Sequence, residues 1–116
     1  MTILKSKLDA LIAARAIIAD EAHWTRGDFA KDSMGYSADS TSNEAVCWCS
    51  IGALEKASDT GSISAMIELN RTVQGSMSEY NDTHSHAEVL AVWDSTIERL
   101  RSQDEIIRRV AMEESK

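Results

Sequence analysis

The chain has 116 residues, of which 43% are hydrophobic and 27% charged, with no proline and five glycines. This length and composition predict one soluble globular domain with a single core, and no apolar run approaches the ~18 residues of a membrane-spanning helix. Twelve basic and nineteen acidic side chains give a net charge of −7, which disfavours direct binding to nucleic acid or to an anionic membrane.

The first part of the chain predicts a helix followed by a loop. Apolar residues recur at three- and four-residue spacing from Leu4 to Ile18, which predicts an amphipathic helix over about 2–20. From 23 to 42 the periodicity is lost, and glycines, serines and aspartates indicate a long loop. Three aromatic residues punctuate it and should anchor it to the core: Trp24, Phe29 and Tyr36.

The second helix is predicted over about 42–57. Thr41-Ser42-Asn43-Glu44 has the form of a capping box, in which the first and fourth residues cap the helix start reciprocally. The segment that follows is apolar nearly all round, so we predict that it is the central helix of the domain. The predicted core residues are Trp48, Cys49, Gly52 and Leu54, together with Trp93 further along the chain.

The two cysteines, Cys47 and Cys49, lie in this segment one residue apart. On a helix they would project about 200° from each other, which disfavours a shared metal ion even with His84 and His86 as further ligands. They do not form a secretory disulfide framework either. We therefore predict two core cysteines, no metal or cofactor, and a reduced, cytoplasmic protein.

The remaining elements follow in order. A third helix is predicted over about 62–74, with Ile63, Met66, Ile67 and Val73 facing inward, and Ser78–Thr83 is predicted to be a turn. Ser85-His86-Ala87-Glu88 is a second capping box and opens the longest helix. The inner stripe of that helix should be Val89, Leu90, Trp93, Ile97 and Leu100.

Beyond Leu100 the composition becomes strongly charged. Asp104 and Arg108 are four residues apart, as are Glu105 and Arg109, which is the favourable order for ion pairs on a helix surface. The last helix should therefore continue as an arm, where Ile107 and Val110 either cap the bundle or meet a partner, including a second copy of the chain. The predicted fold is an all-α, compact four-helix, bundle-like domain over 1–100, with a charged helical extension over 101–116.

No motif of a nucleophile elbow, phosphate-binding loop or metalloprotease occurs, so nothing indicates an enzyme. The polar turn before the last helix either caps that helix or, together with the loop over 24–36, binds a small ligand or anion. The candidate ligand-binding residues are Trp24, Arg26, Asn81, Asp82, His84 and His86.

Three blocks of the sequence resemble a known family. These are Trp24-Thr25 with Gly27, the segment from Ala45 to Leu54 that contains Trp48-Cys49 and Gly52-Ala53, and Tyr80-Asn81-Asp82 followed by Glu88-Val89-Leu90. They resemble a family of small bacterial and phage-borne proteins catalogued as a domain of unknown function, over roughly residues 10 to 100. The resemblance implies an all-helical fold and carries no assigned activity.

Two functions remain as hypotheses. The first is a non-catalytic protein that presents an acidic helical surface to another protein, in its sharpest form a phage-type inhibitor of a bacterial defence or nucleic-acid-processing complex. That surface would comprise Asp94, Glu98, Arg101, Asp104, Glu105 and Arg108. The alternative is a small-ligand or anion-binding domain, or a hydrolase, that uses the Trp24–Tyr36 loop and the Asn81–His86 turn.

Overall fold

The structure is a computed structural model that describes residues 3–58 and 62–114. It contains α1 (Ile3–Ile18), a 3₁₀ turn (Glu21–His23), β1 (Ala30–Lys31), β2 (Cys47–Trp48), α2 (Ser50–Ala57), α3 (Ser62–Val73), α4 (Met77–Thr83) and α5 (His86–Glu114). The two short strands pair antiparallel, with Ala30 opposite Trp48 and Lys31 opposite Cys47.

The described part of the chain is mostly helical, as predicted, with a long last helix. A four-helix bundle is not confirmed, because residues 3–58 and 62–114 contain five α-helices, and two of them, α2 and α4, have only eight and seven residues. No helix in the described ranges is long and apolar enough to cross a membrane.

The core lies where α1 packs against α2, α3 and α5. The largest side chains that are fully buried come from all five helices. The inner stripe predicted for the last helix is confirmed, since Val89, Trp93, Ile97 and Leu100 are buried and Leu90 is half-buried against the same cluster. The other large apolar residues that are fully buried are Leu11, Ile18, Leu54, Leu69 and Met77.

The predicted start of the second helix was wrong. The helix begins at Ser50, with the Cys49 side chain as its N-cap, and Cys47–Trp48 is a strand. Thr41 does not cap a helix, because its backbone N–H and its hydroxyl both donate to the Asp39 carboxylate in a turn. The Cys-Trp-Cys segment is therefore not on a helix, and the argument that helical geometry separates its two thiols does not apply. Residues 59–61, which follow the predicted end of this helix, lie outside the described residues.

Of two further predictions about the middle of the chain, one was wrong and the other was only partly confirmed. The predicted turn at Ser78–Thr83 is most of helix α4, whose N-cap Ser76 accepts a hydrogen bond from the Glu79 backbone N–H. Of the α3 residues predicted to face inward, Met66 and Val73 are half-buried against the core, whereas Ile63 and Ile67 are 70% and 45% exposed. The fully buried positions of the helix are Ala65, Glu68 and Leu69. The inner face of the helix is thus centred on Ala65, Glu68 and Leu69 rather than on the two isoleucines.

The second predicted capping box is present at the start of α5. The Glu88 backbone N–H donates to the Ser85 hydroxyl at 3.2 Å, and the Ser85 backbone N–H donates to the Glu88 carboxylate at 3.0 Å. The hydrogen bond from the Ser85 backbone N–H, together with the Ser85 hydroxyl, holds the pKa of the Glu88 carboxyl below its usual value. The box satisfies two backbone donors that a helix start would otherwise leave free.

Glu68 joins three helices. Its carboxylate, 3% exposed, lies 2.5 Å from the Lys7 ammonium of α1 and 2.8 Å from the Arg99 guanidinium of α5. Burial alone would raise the pKa of Glu68, but the hydrogen bonds from Lys7 and Arg99 outweigh it and lower the pKa below the ordinary value of 4.5. A carboxylate whose pKa is lowered on folding stabilises the fold above its unfolded pKa.

We expect Glu68→Gln to lower the free energy of unfolding at pH 7 by about 2 kcal/mol, since it removes the shared charge between two cations. The contribution of Glu68 should be lost as the pH falls below 4.5, so the variant should lose less stability than the wild type between pH 5 and pH 3. Urea unfolding across that range measures both effects. Glu98→Gln, at an exposed position of α5, is the control and should leave the pH profile unchanged.

Candidate functional site

The buried amide of Asn81 connects the loop, α2 and α4. Its Oδ1 accepts hydrogen bonds from the Trp24 indole N–H at 2.9 Å, from the Ser50 backbone N–H at 3.1 Å and from the Ser50 hydroxyl at 2.8 Å. Its Nδ2 donates to the Thr25 carbonyl oxygen at 3.0 Å. The Asn81 side chain is fully buried, so these partners replace water for nearly all of its hydrogen-bonding capacity.

Ser50 extends this network into the core. Its hydroxyl accepts a hydrogen bond from the Trp93 indole N–H at 3.1 Å and donates its own proton to Asn81. Trp93 lies at the centre of α5 and is fully buried. The polar chain from Trp24 through Asn81 and Ser50 to Trp93 therefore ties the loop to the middle of the hydrophobic core.

A second set of contacts closes the loop over α4. Gly27 adopts a φ of 82°, in the left-handed region that favours glycine, and its N–H donates to the Asp82 carboxylate at 3.0 Å. The Arg26 guanidinium lies over the Trp24 ring and also donates to the His84 carbonyl oxygen. These contacts seat the first turn of the loop on the C-terminal half of α4.

The loop also packs tightly against α2. The Cys49 N–H donates to the Phe29 carbonyl oxygen at 3.1 Å, and the Thr25 N–H donates to the Trp48 carbonyl oxygen at 3.0 Å. A β-carbon at residue 52 would lie 1.9 Å from that Phe29 oxygen, so Gly52 is required by the close approach of the two backbones.

Between the loop and α4 lies an open cleft of about 220 Å³. Two aspartates and two serines line it, together with Cys49 and an aromatic residue. Among the described residues that line the cleft, none is basic. The lining residues are Gly27, Asp28, Phe29, Ser37, Ala38, Cys49, Ser78 and Asp82.

Cys49 is the only cysteine among the described residues that line the cleft, and its side chain caps the start of α2. Its Sγ accepts a hydrogen bond from the Gly52 N–H at 3.4 Å, and its side chain is 5% exposed. Burial raises the pKa of the Cys49 thiol, although the amides of Gly52 and Ile51 act in the opposite direction. A thiol that stays protonated is a poor nucleophile, so the cleft lacks the activated cysteine of a thiol-dependent hydrolase.

The six predicted ligand-binding residues do come together, but mainly as a structural network. His86 is buried, its Nε2 lies 2.7 Å from the Ile18 carbonyl oxygen, and its ring packs at 5.3 Å on Trp24. His84 stacks on Tyr80 at 3.6 Å. Of the six residues, only Asp82 lines the cleft. Within the described ranges, no group of three or more His, Cys, Asp or Glu residues is placed to hold a metal ion.

The other cleft residues were missed by sequence reasoning. Asp28 directly follows Gly27, which adopts a left-handed conformation. An acidic residue next to a glycine turn was the feature of the sequence that could have identified Asp28 as a site residue. Ser37 and Ser78 gave no signal, because they belong to separate segments whose approach depends on the Asn81 network. Of the predicted core residues, Cys49, Gly52, Leu54 and Trp93 are buried, while Trp48 is half-buried and donates to the Ser40 carbonyl oxygen at 2.8 Å.

The predicted acidic surface on α5 is partly neutralised by arginines. Asp94 is exposed and lies 2.5 Å from the Arg15 side chain. The two predicted pairs on the arm are present, with 3.1 Å between Asp104 and Arg108 and 2.6 Å between Glu105 and Arg109. Glu98 and Arg101 are exposed.

These features define a small helical domain in which a buried asparagine fastens a long loop over the start of one helix and the side of another. The chain belongs to a family of unknown function, DUF6197, whose sequence model matches residues 4–99. This confirms the predicted resemblance to a family with no assigned activity. No curated protein and no solved structure matches the chain.

We expect Asn81→Ala to lower the free energy of unfolding by about 3 kcal/mol, because it leaves the Trp24 indole and the Ser50 backbone N–H without an acceptor in the interior. Chemical unfolding followed by tryptophan fluorescence measures this loss. Asn43→Ala, at an exposed loop position, should change stability by less than about 0.5 kcal/mol. Equal losses in the two variants would contradict the role assigned to Asn81.

Proposed function

We propose that this protein binds a small ligand carrying an amine or another compact cation in the cleft between the loop and α4. The observation that carries the proposal is the cleft's lining, in which Asp28 and Asp82 are present and no described lining residue is basic. An ammonium group forms strong charge-assisted hydrogen bonds with carboxylates. The Ser37 and Ser78 hydroxyls supply further acceptors for its N–H groups.

The surroundings of the cleft favour a cation over an anion. Between residues 20 and 55, which provide most of the lining, only Arg26 and Lys31 are basic, and Arg26 is engaged with Trp24 and His84. Phe29 is 55% exposed and lines the same cleft, and an aromatic ring is a favourable neighbour for a cation. An anion-binding role is therefore the weaker form of the small-ligand hypothesis.

The cleft is better suited to binding than to catalysis. The buried Cys49 thiol has a raised pKa, and no histidine is among the lining residues that the structure describes. Without an activated nucleophile beside the two aspartates, covalent hydrolysis has no evident route through these residues. The volume of about 220 Å³ suits a ligand smaller than those of typical drug-binding pockets.

A thermal-shift screen of small amines and small carboxylates tests this proposal. An amine at ten times its Kd should stabilise the protein by about 1.4 kcal/mol, which raises Tm by roughly 5 °C in a domain of this size. Carboxylates of matched size should give no shift. Asp28→Asn should abolish the shift with amines while leaving the Tm of the free protein nearly unchanged.

Glu44→Gln is the matched control, since Glu44 is an exposed acid that does not line the cleft. It should bind amines like the wild type. If carboxylates shift Tm and amines do not, or if Glu44→Gln loses binding as Asp28→Asn does, the cleft proposal is wrong.

A second candidate is docking onto a basic surface of another protein, including the role of a phage-type inhibitor of a bacterial defence or nucleic-acid-processing complex. It is supported by the net charge of −7 and by the exposed Asp94 and Glu98, one turn apart on α5. Complementary charge accelerates association and makes it sensitive to salt. The ion pair between Asp94 and Arg15 reduces the charge that this surface presents.

We expect a partner captured from a bacterial lysate to be released at about 0.5 M salt, where screening is nearly complete. The variant Asp94→Lys/Glu98→Lys should lose the partner. Glu21→Lys/Glu44→Lys makes the same change in net charge elsewhere and should retain it. Capture that is insensitive to salt, or lost equally in both variants, would rule out docking through α5.

A further inference from the structure

The last turns of α5 project beyond the domain. Leu100 is the last buried residue of the helix, and the side chains from 101 to 114 are exposed except for the half-buried Asp104. The molecule is 59 Å long but only 26 and 21 Å in its other dimensions, which reflects this projection. We call residues 101–114 the arm; they also lie beyond the part of the chain that the family model matches.

The apolar face of the arm continues the face that α5 buries in the core. Trp93 and Leu100 are fully buried, and Ile107, seven residues further on, is 57% exposed. Thr96 is likewise buried, and Val110, fourteen residues further on, is 47% exposed. Spacings of seven residues place side chains on one seam of a helix, as in coiled coils. Within the described residues, the domain covers this seam as far as Leu100 and leaves Ile107 and Val110 uncovered.

We infer that the arm pairs with the arm of a second copy of this chain, in antiparallel orientation. Each domain lies on the side of α5 that the seam faces. In a parallel pair both domains would be at the same end of the two helices and on the facing sides, so they would collide. An antiparallel pair separates the domains to opposite ends. The interface is then isologous, with the same patch contributed by each chain.

One register matches the sequence of the arm. When Ile107 lies opposite Val110 of the second copy, Val110 also lies opposite Ile107 of that copy. Two apolar layers therefore lie at the centre of the pair. The neighbours on the two sides of these apolar layers differ. On one side Asp104 lies nearest to Ala111 of the second copy, and on the other side Ile106 lies nearest to Glu113, so neither side brings like charges together. The charged groups on the outer side, Glu105 and Arg109, already pair within each arm at 2.6 Å.

The pair should be weak. An overlap of about three helical turns from each chain falls at the low end of specific interfaces, below about 1,200 Å² in total. Each arm is, however, the continuation of a helix that the domain already stabilises, so its formation does not require the unfavourable nucleation of a new helix. We expect a dissociation constant on the order of 10–100 μM, as for transient complexes.

Sedimentation equilibrium from about 5 to 500 μM, which brackets the expected dissociation constant, tests the inference. The average mass should rise from the monomer value of 12.8 kDa toward twice that value. Ile107→Lys should remain monomeric over the whole range. Ile63→Lys is the matched control: Ile63 is 70% exposed on α3, away from the arm, and this variant should associate like the wild type.

A mixture of two variants tests the orientation. Ile107→Lys and Val110→Glu should each be monomeric alone. In an antiparallel pair the new lysine lies opposite the new glutamate while the other central layer stays apolar, so mixing the two variants should restore association. Parallel arms would place residue 107 beside residue 107 and would give no rescue. A wild type that stays monomeric at 500 μM, an Ile107→Lys variant that associates normally, or a mixture without rescue would overturn the inference.

Discussion

The amide of Asn81 is the contact on which the rest of the domain depends. A buried amide oxygen with three donors and a buried amide nitrogen bonded to a backbone carbonyl leave almost no polar capacity unsatisfied. Such a group is costly if any partner is missing, because the interior offers no water to replace it. The loop, the start of α2 and the body of α4 are therefore held together as one unit.

The shape of the cleft follows from this constraint. Hydrogen bonds with the backbone just before α2 hold Thr25 and Phe29 close to that helix, so residue 52 has to be a glycine. The same approach places Cys49 in the lining of the cleft. The thiol serves the helix as a cap and is kept protonated by burial. Asp28 and Asp82 line the cleft, and the proposed binding of a cation rests on these two acidic residues.

The arm obeys a different constraint. Its seam has the same heptad spacing as the buried stripe of α5, but the domain ends where Leu100 is covered, and the family model ends at residue 99. A function shared by the family is expected within the matched part, where the cleft lies. Association through the arm would be a property of this chain in addition to that function.

The sequence by itself determined the long elements. The apolar periodicity of α1 and α5 and the capping box at Ser85 depend on residues within one or two helical turns of each other, so local patterns were sufficient to predict them. The block that contains Asn81 was also recognisable as part of a family pattern, although its role was not.

Only the tertiary structure decided where α2 begins, that Ser78–Thr83 is helical, and which residues form the cleft. Thr41 had a locally valid capping motif, but the pairing of Trp48 with Ala30 and the bond from Ser50 to Asn81 draw that segment into a strand. These partners are distant in the chain, and their free energy outweighs a local preference of about 1 kcal/mol. The cleft walls likewise come from segments that meet only after Asn81 has joined them.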